Sequence, residues 1–284
     1  MGIFSDYLLV SDFDLTLTNA EDRVPEANLR ALAYFMEQGG AFTVATGRSL
    51  PMAWGRLRDF PRNAPLITFN GAMCSEPETG AVYWSQPLPD DFPALLRPIQ
   101  ESHPDTCLEL QTPAGHYTFH DDADRDRYLA QQQVPIFPGD WERLDGPIYK
   151  ASFYTPGKRL FAVEYGSDTA KAFEVLAQDI RKAGEGRYDA VNSRPGMVEI
   201  QSAACSKGKS ARRLAKLLGR PILVCVGDSL NALRTLRGAD LPFLTGDGDP
   251  ALAALGIPQV CPCGEGAVAG VIEMLALREK EAHI

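Results

Sequence analysis

The chain has 284 residues, of which 45% are hydrophobic and 23% charged, and 37 acidic against 28 basic side chains give a net charge of −9. This composition excludes disorder as the main state, and the length accommodates one large or two moderate domains. The acidic balance provides no positive field for phosphate backbones, so nucleic acid is not an expected partner. The longest apolar runs, such as residues 222–226, are far shorter than the roughly 20 residues of a membrane span, so no membrane association is expected.

Cysteine usage indicates the redox compartment, and histidine usage bears on metal binding. Six cysteines lie at positions 74, 107, 205, 225, 261 and 263, without the spacing of a disulfide framework. A reducing cytoplasm is therefore the expected location. His116 and His120 fall in a short predicted strand and have no matching Cys/His pair. We expect both histidines at the surface and predict no zinc site.

The first 86 residues show the alternation of a parallel α/β sheet. An apolar run predicts a buried strand over residues 7–13, and the next segment, 25–38, predicts a helix that begins at a proline and ends before two glycines. A second strand over 41–45 leads into Thr46-Gly47-Arg48 and another helix, and residues 66–69 predict a third strand. Two strands joined through a helix form a β-α-β unit, which implies parallel pairing.

From about residue 87 the pattern changes to mixed α+β. A helix is predicted over 168–183, where apolar residues recur at helical spacing. Strands are predicted over residues 107–111, 116–120, 149–154, 160–165, 188–192 and 197–201. This stretch therefore predicts an inserted domain.

After Lys207 the β-α alternation resumes. It predicts strands over 222–226, 241–244 and 259–261, separated by helices and followed by a terminal helix. The fold class is therefore α/β, a doubly wound parallel sheet with a Rossmann-like core. The predicted core comprises residues 1–86 and 198–284, and the inserted α+β domain comprises residues 87–197.

Polar residues directly after buried strands are the first candidates for a site, because ligands of an open parallel sheet bind at the carboxyl ends of its strands. Asp12 and Asp14 follow the first strand, Thr46 follows the second, and Asp228 follows the strand over 222–226. If the first strand persists, both acids leave the same face. Such a pair is suited to a cation or a shared proton, although the two acids could instead cap a turn.

Lys207 lies at the predicted start of a helix, where the helix dipole disfavours a cation. A bound anion there would offset this cost, whereas the alternative is a lysine that is simply solvated. Thr46 could cap the helix that follows it, and a cap that faces a ligand pocket is also an anion site.

Four segments together resemble the motifs of one known family. They are DFDLT from Asp12, ATGRS, SKGKSARRLAKLLG and VGDSLNAL. In this order and separation they resemble the haloacid dehalogenase (HAD) superfamily of aspartate-nucleophile phosphatases, in its Cof-like subgroup with a large α/β (type IIB) cap. The resemblance covers nearly the whole chain, with the cap inserted between the second and third motifs. The glycine that the family usually carries after the second aspartate is Leu15 here, while Thr16 is retained.

The resemblance implies phosphomonoester hydrolysis. Asp12 would attack a phosphoryl group to form an aspartyl-phosphate, and Asp14 would protonate the leaving alcohol and then activate water. Thr46, Gly47 and Lys207 would bind the phosphoryl oxygens. The implied partner is a small-molecule phosphate ester, with a sugar phosphate as the analogy from relatives that carry this cap.

The resemblance also implies a magnesium site formed by Asp12, the backbone carbonyl of Asp14 and Asp228. Family members usually carry a further acid at the position of Ala232, so the expected site is short of one carboxylate. Asn231 is expected to support the site by hydrogen-bonding a metal-bound water.

Two other functions compete with this interpretation. Residues 203–210 nearly match a P-loop, in which Lys209 would bind phosphate, but Ala203 replaces its first glycine and the acids after the first strand would have no role. The absent acid at Ala232 instead suggests a catalytically weakened protein that binds or senses a phosphate ligand. A sensor has no need of a nucleophile and an adjacent acid, which favours the enzyme.

Overall fold

The computed structural model describes residues 2–157, 162–229 and 232–282 and divides them into two units. The first unit comprises the described residues of Met1–Gly47, Asp59–Trp84 and Ser206–Ile284, and the second comprises those of Arg48–Arg58 and Ser85–Cys205. The segment directly after Gly47 therefore groups with the insertion. The domain boundaries proposed at residues 86/87 and 197/198 stay a prediction.

The described elements alternate between strands and helices for most of the chain. The strands are β1 (Tyr7–Ser11), β2 (Ala41–Val44), β3 (Leu66–Thr68), β4 (Met73–Glu76), β5 (Ala81–Ser85), β6 (Cys107–Gln111), β7 (His116–Thr118), β8 (Ile136–Pro138), β9 (Lys150–Tyr154), β10 (Tyr188–Arg194), β11 (Met197–Ser202), β12 (Ile222–Gly227) and β13 (Leu241–Leu244). The helices are α1 (Glu26–Glu37), α2 (Leu50–Leu57), α3 (Phe92–Ser102), α4 (Ala123–Gln131), α5 (Asp168–Ala183), α6 (Lys207–Leu217), α7 (Leu233–Leu236), α8 (Pro250–Ala253) and α9 (Ala267–Ala282). Within the described ranges, no helix has the length and apolar character needed to cross a membrane.

The first unit is built on a parallel sheet with the strand order β13-β12-β1-β2. β1 and β2 are buried along their whole length, as expected for strands covered on both faces. Leu8, Val10 and Cys225 join one apolar cluster, which also contains Leu214 of α6. Each fully buried side chain of this size stabilises the fold by about 1.5–3 kcal/mol. The predicted α/β class with a parallel sheet is confirmed.

The second unit contains a sheet with the strand order β10-β11-β9-β6-β7-β8. Its paired strands are antiparallel except for β7 and β8. One face is apolar, because Leu108, Leu110 and Phe153 alternate inward and pack with Phe92 of α3 and Leu176 of α5. This unit is the α+β cap that the sequence predicts.

Most predicted elements are confirmed, and three expectations need correction. α5 and β6 have the predicted bounds. β1 ends at Ser11 rather than at residue 13, so its two following acids lie in a turn. Residues 259–261 contribute an isolated bridge instead of a strand. The strand predicted over 160–165 lies partly outside the described residues, and its described part is not a strand.

A sharp turn directly after β1 explains why the strand ends there. The Thr18 N–H donates to the Phe13 carbonyl at 3.0 Å and closes the turn. Inside it, Leu15 has φ +54° and ψ 19°, a left-handed conformation that costs a side-chain-bearing residue roughly 1–2 kcal/mol. The Leu15 residue is 48% exposed, so packing offsets little of this strain. Glycine has no such cost, which gives a physical reason for the glycine that the resembled family carries at this position.

We expect Leu15→Gly to unfold at a higher temperature than Leu15→Ala, because only alanine retains the strain of the left-handed backbone. Leu277 provides the matched control, since it is 59% exposed and lies inside α9. There the order should reverse, with alanine more stable than glycine by about 1 kcal/mol. Thermal melts of the four variants test this, and the same order at both positions would contradict it.

A buried ionic cluster lies on the other face of the cap sheet. Glu109 is fully buried and accepts bonds from Arg125 Nε at 2.8 Å and Nη2 at 2.9 Å, and His116 Nδ1 lies 3.0 Å from its carboxylate. Burial alone would raise the pKa of Glu109, but Arg125 and His116 outweigh it and hold that pKa well below its usual range. The expectation that His116 lies at the surface is therefore wrong, because the cluster buries it. His120 is half-buried.

Ser49 extends this cluster into an arrangement that resembles a nucleophile triad. His116 Nε2 lies 2.7 Å from Ser49 Oγ, while its other nitrogen faces Glu109. Ser49 is only 1% exposed and His116 is 0% exposed, which leaves no surface for a substrate. The cluster therefore stabilises the cap rather than performing chemistry.

We expect Glu109→Gln to destabilise the protein by about 3–5 kcal/mol, because the substitution leaves the buried Arg125 charge uncompensated. Asp91→Asn is the matched control, since the Asp91–Arg187 ion pair is exposed and its loss should change the free energy of unfolding little. Chemical denaturation of the three proteins measures the difference.

The same substitution should change how stability depends on pH. The pKa of Glu109 is depressed in the folded protein, so its carboxylate stabilises the fold at any pH above the ordinary carboxyl pKa of about 4.3. This stabilisation is lost as the pH falls from there toward the folded-state pKa. Glu109→Gln should lack this part of the acid destabilisation. Parallel stability curves for the wild type and the variant below pH 5 would contradict the assignment.

Candidate functional site

Three of the predicted site residues follow neighbouring strands of the parallel sheet. Ser11 at the end of β1 pairs with Val226 on one side and Val44 on the other, so the residues that follow these strands meet at one edge. The Asp12 N–H donates to the Val226 carbonyl at 3.0 Å and extends the pairing by one residue. The structure thereby brings the start of the Asp12 turn beside Asp228, as the sequence predicts.

Asp12 is held through both carboxylate oxygens. Its Oδ1 accepts a bond from the Phe13 N–H at 2.8 Å, and its Oδ2 lies 2.6 Å from Lys207 Nζ. Lys207 is buried and is the first residue of α6, where the helix dipole disfavours its charge. The Asp12 carboxylate offsets that cost, so the alternative of a solvated lysine is wrong.

Asp228 accepts a bond from Thr16 Oγ1 at 3.2 Å, which ties it to the turn after β1. Burial, and secondly the charge of Asp12, raise the pKa of Asp228 to about 6. Asp14 lies in the extended part of the same turn and is exposed. The carboxylates of Asp12 and Asp228 lie near a single lysine and leave excess negative charge on oxygen donors, which fits a hard divalent cation such as Mg²⁺.

Thr46 is buried one residue beyond the bridge between Ala45 and Ile67. Its N–H donates to the Ile67 carbonyl at 2.9 Å. It does not cap α2, because Ser49 occupies the position before that helix. The hydrogen bonds therefore fix Thr46 as an extension of the sheet edge.

Asn70 is a residue of this edge that sequence reasoning missed. Its N–H donates to the Thr46 carbonyl at 3.0 Å, and a Cβ added to Gly47 would lie 2.7 Å from Asn70 Oδ1. A side chain at position 47 would therefore have to displace the Asn70 amide. The available signal was the Asn-Gly dipeptide directly after an apolar run, a pattern typical of a tight turn.

Gly71 positions the helix that carries Lys207. Its carbonyl accepts a bond from Ser210 Oγ at 2.6 Å, and a Cβ on Gly71 would lie 2.5 Å from the Ser206 carbonyl oxygen. Gly71 also has φ +99°, which an L side chain rarely adopts. The start of α6 thus rests directly on this backbone.

The P-loop alternative fails on its structural context. Lys209, which a P-loop would direct at phosphate, is exposed on α6. The strand that precedes this segment, β11, pairs antiparallel with β9 and β10 instead of belonging to a parallel sheet. Lys207 is instead the lysine that reaches the acids.

The segment after Asp228 contains the main departure from the family pattern. Ala232 is 2% exposed, and a Cβ placed on Gly227 would lie 2.5 Å from the Ala232 Cβ. Position 232 therefore adjoins the end of β12, directly before Asp228. Asn231, the predicted supporting residue, lies outside the described residues.

Comparisons with known proteins show which proteins this chain is similar to. The chain is 25% identical over 286 residues to "Putative phosphatase YxeH" of Bacillus subtilis (strain 168), an alignment that covers 95% of this chain and 98% of that protein. A haloacid dehalogenase-like hydrolase structure from Bacteroides thetaiotaomicron matches with a TM-score of 0.79 and 18% identity, covering 95% of this chain and 99% of its own. The HAD subclass IIB sugar phosphatase BT4131 matches with a TM-score of 0.77 and 16% identity over the same shares.

These structural matches, at under 25% identity, show that the fold is shared. The family profile described as haloacid dehalogenase-like hydrolase matches residues 9–256, a span that contains all the site residues described above. Because this match covers most of the chain and agrees with the parallel core and the inserted cap, the chain belongs to the haloacid dehalogenase-like hydrolase family.

Proposed function

We propose that this protein is a Mg²⁺-dependent phosphomonoester hydrolase that acts through an aspartyl-phosphate on Asp12. The observation that carries the proposal is the contact between Lys207 Nζ and Asp12 Oδ2 at 2.6 Å, with Asp228 directly after the adjoining strand. A carboxylate held beside a cation at the open edge of a parallel sheet is suited to attack an anionic phosphoryl group. The relative named as a phosphatase supports this reaction class.

Mg²⁺ would be held by Asp12, Asp228 and the backbone carbonyl of Asp14, since hard cations prefer such oxygen donors. When bound, it would supply positive charge to the phosphoryl oxygens during transfer. The excess of carboxylates over lysine at this edge supports a divalent cation.

In the first half-reaction, a carboxylate oxygen of Asp12 forms a bond to phosphorus while the bond to the leaving oxygen breaks. Asp14 donates its proton to that oxygen, and the alcohol departs. Asp14 is exposed in the turn, where it can meet the leaving group and solvent. Lys207 and the Thr46-Gly47 segment bind the phosphoryl oxygens and offset their negative charge.

In the second half-reaction, Asp14 accepts a proton from water, and the resulting hydroxide attacks phosphorus. The bond between phosphorus and Asp12 breaks, which releases inorganic phosphate and restores both carboxyl groups. Lys207 limits the negative charge on Asp12 and makes it a better leaving group. The backbone N–H of Phe13 keeps the Asp12 carboxylate oriented throughout.

The proposed substrate is a small phosphate ester that resembles a sugar phosphate. The similar fold of a protein described as a sugar phosphatase supports this class by analogy. The six cysteines, which lack the spacing of a disulfide framework, support a cytoplasmic location. A panel of phosphate monoesters assayed with purified protein identifies the preferred leaving group.

We expect Asp12→Asn to lower phosphate release from an aryl phosphate to below a few per cent of wild type, because an amide cannot act as the nucleophile. Asp14→Asn should slow turnover by roughly 10²–10⁴-fold, the usual contribution of general acid–base catalysis. An aryloxide leaves with little help from a general acid, whereas hydrolysis of the aspartyl-phosphate still needs the base. The Asp14→Asn variant should therefore accumulate phosphorylated protein when supplied with an aryl phosphate radiolabelled in its phosphoryl group.

Asp105→Asn is the control for these two substitutions, because Asp105 is an exposed acid in the cap unit and should leave the rate unchanged. Circular dichroism of each variant separates lost chemistry from lost folding. Near-wild-type turnover by folded Asp12→Asn would refute the covalent mechanism.

Ala232→Asp should lower the Mg²⁺ concentration for half-maximal activity by about 10–100-fold, the range by which a residue supporting a metal site changes its affinity. The reason is that position 232 adjoins Gly227 and hence Asp228. Ala232→Asn introduces a side chain of nearly the same volume as aspartate but without its charge, so it should not produce this shift. Mg²⁺ titrations of the phosphatase rate compare the three proteins.

Superimposable titrations for Ala232→Asp and wild type would show that position 232 does not influence the metal. Because Ala232 is buried among apolar residues, melting temperatures must accompany the titrations. Absence of activity in every folded protein at all Mg²⁺ concentrations would favour a phosphate-binding sensor.

A further inference from the structure

A second cluster of metal-ligating side chains lies within the cap unit. Cys107, His120 and Asp122 each offer one ligand atom, and these three atoms lie within 4.8 Å of one another. They come from the first residue of β6, the segment after β7, and the residue that caps α4. Three different elements therefore converge on one point.

Strand pairing explains why Cys107 and His120 meet. In the antiparallel register of β6 and β7, Glu109 faces Thr118, and continuing that register by two residues places Cys107 opposite His120. The Phe119 N–H donates to the Leu108 carbonyl at 3.0 Å, which confirms that the pairing continues. Directly opposite residues of such a pair have Cβ atoms only about 4.5–5.5 Å apart.

His120 presents an unused nitrogen to its surroundings. Its Nε2 contacts the Tyr154 hydroxyl at 2.5 Å. Its Nδ1 is buried and forms no hydrogen bond of normal geometry among the described residues, although the Leu108 backbone lies close enough to oppose the lowering of the His120 pKa. A buried polar atom without a partner costs free energy, so the arrangement calls for a ligand on Nδ1. Burial also lowers the pKa of His120, which favours the neutral ring that binds metals.

Asp122 is held in a fixed, ionised form. Its Oδ1 accepts bonds from the N–H groups of Asp124 and Arg125 at 3.1 Å each, and its Oδ2 accepts one from Gly157 at 2.6 Å. Although burial opposes it, these N–H groups lower the pKa of Asp122. A carboxylate has about four acceptor sites, so three bonds leave one for a cation.

The charged residues beside the cluster do not change the negative charge that its own side chains offer to a cation. Arg125 is paired with Glu109 through two hydrogen bonds, so this neighbouring pair is neutral overall. Cys107 is buried, which raises its thiol pKa to about 12 and keeps it protonated in the metal-free protein. One thiolate and one carboxylate would together balance a divalent cation.

We propose that Cys107 Sγ, His120 Nδ1 and Asp122 form a Zn²⁺-binding site in the cap, with the fourth position open to water. The thiolate and imidazole favour Zn²⁺ over Mg²⁺, which prefers oxygen ligands alone. On binding, Zn²⁺ takes the place of the Cys107 proton, which passes to solvent, while the Nε2–H of His120 donates to Tyr154. The metal ties β6, the end of β7 and α4 together, independently of the proposed phosphatase site.

Cobalt titration of the metal-free full chain tests the site directly. With excess Mg²⁺ present to occupy oxygen-only sites, one equivalent of Co²⁺ should produce a thiolate-to-cobalt charge-transfer band, and Zn²⁺ should abolish it. Cys107→Ser should lose the band, whereas Cys261→Ser should retain it. Absence of the band in folded wild type, or its persistence in Cys107→Ser, would overturn the proposal.

Zinc affinity, measured by competition with a chromophoric chelator, provides the second test. His120→Gln should weaken binding more than the roughly 10–100-fold expected of Tyr154→Phe, which removes only a partner that orients His120. His103→Gln, outside the cluster, should bind as wild type does. If Cys107→Ser fails to fold, the wild-type cobalt spectrum and the zinc affinity of His120→Gln test the site. Equal zinc affinities for His120→Gln and His103→Gln would refute it.

Discussion

The ion pair between Lys207 and Asp12 joins residues 195 positions apart, and the geometry of the proposed active site depends on it. Asp12 emerges from the turn after β1, whereas Lys207 begins α6 on the far side of the insertion. Each side chain is largely buried, so each charge needs the other to offset its desolvation. This mutual need fixes the end of the sheet against the start of the helix before any ligand is bound.

Small residues make that arrangement possible, because backbone must approach backbone around the pair. Gly71 lies against the Ser206 carbonyl and holds the start of α6, while Gly47 admits the side chain of Asn70. At Leu15 the chain instead carries a side chain in a left-handed conformation within the same turn as Asp14. The site thus combines close contacts at glycines with left-handed backbone at three side-chain-bearing residues, Leu15, Phe69 and Asn70.

The cap follows a different principle, since its sheet is apolar on one face and buries charge on the other. The Glu109–Arg125 pair is stable there only because every charge has a partner at hydrogen-bond distance. The neighbouring cluster of Cys107, His120 and Asp122 is not fully hydrogen-bonded, because His120 Nδ1 forms no hydrogen bond of normal geometry within the described ranges. The two clusters adjoin on one sheet, yet only the second has capacity for an added cation.

The sequence by itself predicted the parallel core and an inserted α+β stretch, and it placed Asp12, Asp14, Thr46 and Asp228 after predicted strands and Lys207 at the start of a helix. These placements follow from local information: apolar runs of strand length, helical spacing, and polar residues at element ends. The resemblance to one family is what joins the five residues into one proposed site. The tertiary structure alone decided that β1 stops at Ser11, that Asn70 supports Thr46, and that His116 is buried. It also decided that Cys107 meets His120, because strand register and the packing of distant elements determine which polar side chains share a buried face, and no local pattern encodes that pairing.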